Sequence, residues 1–254
     1  MFSFRVNSRI ALRLVFPAAI ALGALGVGEA IAPEAASAFS VSLRSDLDDA
    51  GFKSLIDSGS FVEEFVAQSR IGNNAPNGTQ EFDLLDPKNN ASPVAQGQRV
   101  WPNDDPVEFS LAFDGTNAAY TVGGVTLNGT FSGSISDLFL RTRTLNNTNT
   151  SSSLALFDLV LNNTPISESL LTTSGVEYLQ ISHIGGVPFL LEGKSTFAWT
   201  GPTPTNSNLA YQIKAGTTEP VPEPISTAGG AIALAWGASA YRRHKRAARP
   251  EGEE

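Results

Sequence analysis

A mainly β protein is predicted: an antiparallel β-sandwich or jelly-roll with one or two short N-terminal helices, an N-terminal signal peptide and a single C-terminal transmembrane helix. Three observations carry this. From Val107 onward apolar and polar residues alternate with period two, and turn-forming dipeptides separate the runs. Few apolar patterns of helix length stand between them, and the 254-residue chain carries an apolar stretch near each end.

The N-terminus reads as an export leader. Arg5, Arg9 and Arg13 precede an apolar run from Leu14 to Val27, and Ala36-Ser37-Ala38 offers small residues where a signal peptidase reads. Residues 1–38 are therefore expected to be removed, with cleavage after Ala38; Ala32 and Ala30 are alternative sites. Gly23, Gly26 and Gly28 lie inside this leader with no strand before them, so they do not read as a phosphate-cradling loop.

The next segment mixes signals. Ser45 followed by Asp48, with Leu47, Phe52, Leu55 and Ile56 beyond, predicts a capped amphipathic helix ending near Gly59. Ser60 to Ala67 fits either a second capped helix, with Ser60 and Glu63 as the capping box, or the first strand of the sheet. Asn73 to Gly78, Pro87 to Gln98 and the polar tract Asn146 to Ser153 are expected as loops.

Strands follow at regular spacing. Val107, Phe109, Leu111 and Phe113 form one apolar face against Glu108, Ser110, Ala112 and Asp114. Further strands are expected at 119–122, 125–131, 135–143, 154–161, 176–182, 189–192, 195–199 and 209–214. Asp114-Gly115, Gly123-Gly124, Asn128-Gly129 and Gly185-Gly186 supply the turn chemistry. Such a series favours two packed antiparallel sheets.

The C-terminus has three parts in a fixed order: Val221-Pro222-Glu223-Pro224, an apolar run from Ile225 to Tyr241, and a basic cluster opening with Arg242-Arg243. As a helix the apolar run is roughly 25 Å long, near the lower limit for crossing a hydrocarbon core. The positive residues behind it (Arg242, Arg243, Lys245, Arg246, Arg249) predict a cytoplasmic C-terminus and an exported main domain. The arrangement resembles the PEP-CTERM sorting signal of exported bacterial proteins. That resemblance implies recognition by an exosortase, cleavage near the motif, and only transient membrane anchoring. The chain then divides into a leader (1–38), a β-sandwich (39–217), a sorting signal (218–246) and a cytoplasmic tail (247–254).

Composition narrows the function of the body. Residues 39–220 hold nine Lys and Arg against nineteen Asp and Glu, a formal charge of −10, which argues against nucleic acid as a partner. The chain has no cysteine, so disulfides, cysteine nucleophiles and thiolate metal sites are all excluded. His183 is the only histidine between the two terminal segments and reads as a strand-end residue. Serines are plentiful, but no nucleophile elbow accompanies them, and the paired carboxylates read as surface charge. Asp104 and Asp105 are the best calcium candidates, without an EF-hand-type loop around them. The expectation is a non-enzymatic protein with no catalytic residue, metal site or cofactor. Its location is the cell surface or extracellular matrix.

Segments 65–73, 107–114, 137–143 and 156–162 also resemble the β-rich choice-of-anchor domains that precede such sorting tails. That resemblance implies fold and location and no activity. Two other classes compete with a structural role: a carbohydrate-binding module and a secreted hydrolase. For sugar binding the aromatic platforms are Trp101, Tyr120, Tyr178, Trp199 and Tyr211. Trp199 shares a face with Phe197 and reads as core, whereas Trp101, between polar loop residues, is the exposed candidate. Arg141 and Arg143 share a strand face with Asp137 and are positioned either to grip acidic polysaccharide or to pair with acids on neighbouring strands. Six Asn-x-Ser/Thr triplets, at Asn77, Asn90, Asn128, Asn146, Asn149 and Asn162, are candidate glycan acceptors.

Overall fold

The computed structural model describes residues 39–72, 81–146, 151–185 and 188–218. The leader, the sorting signal, the tail and the loop at Asn73 to Gly78 lie outside these residues. Among the described residues no helix is long and apolar enough to cross a membrane.

In chain order the elements are β1 (Ser40–Leu43), α1 (Asp49–Asp57), β2 (Phe61–Ile71), β3 (Phe82–Asp86), a 3-10 turn (Pro87–Asn89), β4 (Ser92–Gly97), β5 (Val107–Phe113), β6 (Asn117–Val122) and β7 (Val125–Thr130). There follow β8 (Asp137–Thr144), β9 (Ser151–Leu161), β10 (Thr164–Pro165), β11 (Leu170–Thr172), β12 (Gly175–Ser182), β13 (Phe189–Thr200) and β14 (Leu209–Thr218). One sheet runs β1-β12-β8-β14-β2-β3-β4, the other β10-β9-β13-β5-β6-β7, with β11 also on β9. Every pairing is antiparallel.

The inner faces of the two sheets meet in one apolar core. Leu138, Leu140 and Ile213 from the first sheet join Phe109, Leu111 and Leu156 from the second, and Phe65 reaches Phe113 with ring centres 5.2 Å apart. Burying apolar faces in this way is what drives two amphipathic sheets together. A small polar chain is sealed inside: Tyr120 donates to the Tyr211 hydroxyl at 2.9 Å, and the Ser69 hydroxyl lies 2.7 Å from Tyr120. Burial raises the pKa of both phenols, so they stay neutral and able to donate.

Helix α1 covers the outer face of the first sheet. Its cap is Asp48, whose side chain accepts from the Gly51 amide, and not Ser45. Phe52 is its only buried side chain; it stacks on Tyr178 at 5.1 Å and meets Phe61 and Phe139 edge-on. Ser60 precedes β2 and Phe61 to Ala67 form its start, so the described residues contain one α-helix and none on the second sheet.

Four expectations of local structure are corrected. Pro87 to Gln98 is not all loop, because Ser92–Gly97 pairs with β3 at the sheet edge, where a proline is tolerated. Asn128-Gly129 lies inside β7, and the true turn is Gly123-Gly124, with φ of 52° and 85°, as a tight hairpin with two left-handed residues requires. Ser151 to Ser153 belong to β9 and not to the loop before it. The runs at 189–192 and 195–199 form a single strand, joined through Gly193 where a Cβ would come 2.7 Å from Leu159.

Both ends of the described body emerge at one end of the first sheet. Ser40 pairs with Ser182, Ser182 with Asp137, and Asp137 with Gly216, a single transverse row across β1, β12, β8 and β14. Three strand spacings separate its outer members, about 14 Å. Asp137 ties the row together: its carboxylate accepts from Ser136, from Gln180 and from the Thr218 amide. Burial opposes ionisation there, and the hydrogen bonds outweigh it, so the pKa lies below the ordinary value.

Candidate functional site

Trp101 is not an exposed platform. Only 7% of it is accessible; its indole N–H donates to the Arg70 carbonyl at 2.9 Å, and its ring lies 4.3 Å from Phe197. The Arg99 guanidinium covers it further, 5.5 Å from the ring centre. The polar residues around it in sequence concealed a loop that folds back over the end of the core. Tyr120, Tyr178 and Tyr211 are buried as well, and Trp199 packs partly buried against the core. Among the described residues, flat stacking of sugars on Trp or Tyr rings therefore has little surface to use.

Asp104 and Asp105 are both exposed, and Asp104 adopts φ 65° while its amide donates to the Phe197 carbonyl at 2.9 Å. Among the described residues no group of three or more His, Asp or Glu gathers to hold a metal ion. His183 follows directly on β12, exposed and with φ 60°.

Arg141 is buried, with its side chain 10% exposed, and is paired. Its Nε and Nη2 donate to the two carboxylate oxygens of Asp49 at 2.7 and 2.6 Å. Tyr178 donates to the same carboxylate at 2.9 Å. Arg141 holds the Asp49 pKa below its ordinary value against the effect of burial. The partner comes from α1, so the expected cross-strand pairing with an acid is corrected. The arginine fork fastens the helix to the sheet.

Arg143 differs. It lies one step along the same outer face, half-buried, and has no ion-pair partner among the described residues. Both arginines line a groove of about 900 Å³ on the outer face of the first sheet, beside α1. Five cations border it (Lys53, Arg70, Arg141, Arg143, Lys214) against three acids (Asp49, Asp57, Glu63). The acids are all taken: Asp49 by Arg141, Asp57 by Lys53 and Glu63 by Lys214 at 2.9 Å. A basic concavity thus interrupts a strongly acidic surface.

Strand register explains which groups share the groove. Ala210 on β14 pairs with Arg143 on β8 and with Arg70 on β2, so the two arginines flank one small residue, their Cα atoms roughly 10 Å apart. In the next row Gln212 pairs with Arg141 and with Gln68, and its amide donates to Gln68. Arg70 bonds Asp83 at 2.7 Å, leaving its Nε buried without a partner. Asp83 is fully buried with one oxygen unpartnered, and burial outweighs the Arg70 attraction, lifting its pKa to about 6. Arg70 and Ala210 carry no motif; only the register between distant strands makes them neighbours of Arg143.

The processing residues Ala36, Ala38, Val221, Pro222, Glu223, Pro224, Arg242 and Arg243 lie outside the described residues. No family model matches the chain, and no curated protein matches it.

Proposed function

We propose that this is an exported, non-enzymatic protein of the bacterial surface or extracellular matrix. A signal peptidase releases it after Ala38, an exosortase processes it at Pro222-Glu223-Pro224, and the C-terminal helix holds it in the membrane only before that cut. The observation that supports this most is the spacing: β14 ends at Thr218, three residues before Val221, so the motif follows directly on a folded, acidic body. The common exit of both ends of the described body suits a precursor with two membrane-directed segments. Extracellular polysaccharide is the proposed partner of the delivered body. Aromatic stacking through Trp101 is set aside, and the basic groove takes its place as the contact.

Changing the motif tests this reading. In a host that carries an exosortase, Glu223→Ala should retain the chain in the membrane fraction with its basic tail, while the unaltered protein loses that tail. Identical fractionation and tail removal in both would overturn it.

A further inference from the structure

We propose that the groove beside α1 binds the carboxylate of a uronic-acid sugar, held between Arg70 and Arg143 above Ala210. The inference rests on polysaccharide as the partner and names its chemical class. Two arginines on one sheet face flank the small Ala210, and Asp83 compensates only Arg70, so an anion seated above Ala210 would gain from both charges. Every other cation bordering the groove already has an acid of its own: Lys53 has Asp57, Lys214 has Glu63, and Arg141 has Asp49. Among the described residues Arg143 has no ion pair and only a longer-range attraction to Asp49, which is already forked by Arg141, and Arg70 spends one nitrogen on Asp83 while its Nε is buried without a partner. The planar guanidinium fork matches a carboxylate, and a pair of forks can grip one from two sides.

The rest of the groove suits a sugar. Its volume of about 900 Å³ exceeds that of a small inorganic anion, and Gln68, Gln212, Asn90 and Ser207 line it with amides and a hydroxyl for ring hydroxyls. The surrounding body, with its charge of −10, repels densely charged polyphosphates. A chain with one carboxylate per sugar keeps the local attraction with less of that long-range penalty. Nothing bonds or breaks covalently; the site only holds its ligand.

Titration calorimetry of the full-length chain with oligogalacturonate tests this, against its methyl ester and inorganic phosphate. The free acid should bind, the ester should not, phosphate should not displace the acid, and added salt should weaken binding. Arg143→Gln should weaken binding roughly ten- to a hundredfold, the effect of losing charge-assisted bonds. Ala210→Glu, which places an acid between the two arginines, should abolish binding while the variant stays folded by its far-ultraviolet circular dichroism. Three results would each overturn the proposal: equal binding of acid and ester, displacement by phosphate, or binding untouched in a folded Ala210→Glu variant. Failure here leaves processing at Pro222-Glu223-Pro224 standing, because fractionation of the Glu223→Ala variant reads that independently.

Discussion

Asp83 shows how one buried residue sets a property of the whole fold. Its folded pKa of about 6 lies above the ordinary 3.8, so the folded state binds the proton more tightly than the unfolded chain does. The stability it contributes is full below the unfolded value and is lost as pH rises through 6. The shift corresponds to about 3 kcal/mol as an order of magnitude. Asp83→Asn has no such term, so its stability relative to the unaltered protein should improve by about that amount between pH 4 and pH 7 in urea unfolding. Parallel pH profiles would contradict the assignment. Sequence reading reached some residues and missed others for physical reasons. Arg141 and Arg143 stood out because two cations alternate on an apolar strand. Arg70 and Ala210 did not, since their meaning lies in pairings with residues more than sixty positions away. Trp101 misled because neighbouring polarity says nothing about a loop that packs back against Phe197.

At the scale of elements, period-two alternation marked strands with one face in water, and β5 to β9, β12, β13 and β14 were largely legible for that reason, while β10 and β11 were too short to show it. Strand β2 was not. It is covered on its inner face by the core and on its outer face partly by α1, so both faces are buried and the alternation disappears. Glu64 adds an extra residue opposite the step from Ala215 to Gly216 and disrupts the pattern further. Helix α1 depends on this outer face. Phe52→Ala removes its one buried anchor and should cost about 3 kcal/mol, and Asp48→Ala about 1 kcal/mol through the lost cap. Hydrogen exchange should show the amides of α1 losing protection in Phe52→Ala while β5 and β13 keep theirs. Uniform loss throughout the body would mean that the helix is part of the core and not a cover fastened to it.

For the whole molecule, the acidic two-sheet body, the common exit of its ends and the short step from Thr218 to Val221 support one reading, in which both termini are removed on the way out of the cell. The sandwich was legible because its inner faces obey a simple alternation. The groove was hidden because it exists only once β2, β14 and β8 lie side by side. The most direct test is the intact mass of the protein recovered from the surface of its native cell. The account predicts a chain that begins at Phe39 and ends near Pro222-Glu223-Pro224, with any added mass reporting a glycan or an attached group. A polypeptide that still carries Met1 and Glu254 would contradict it.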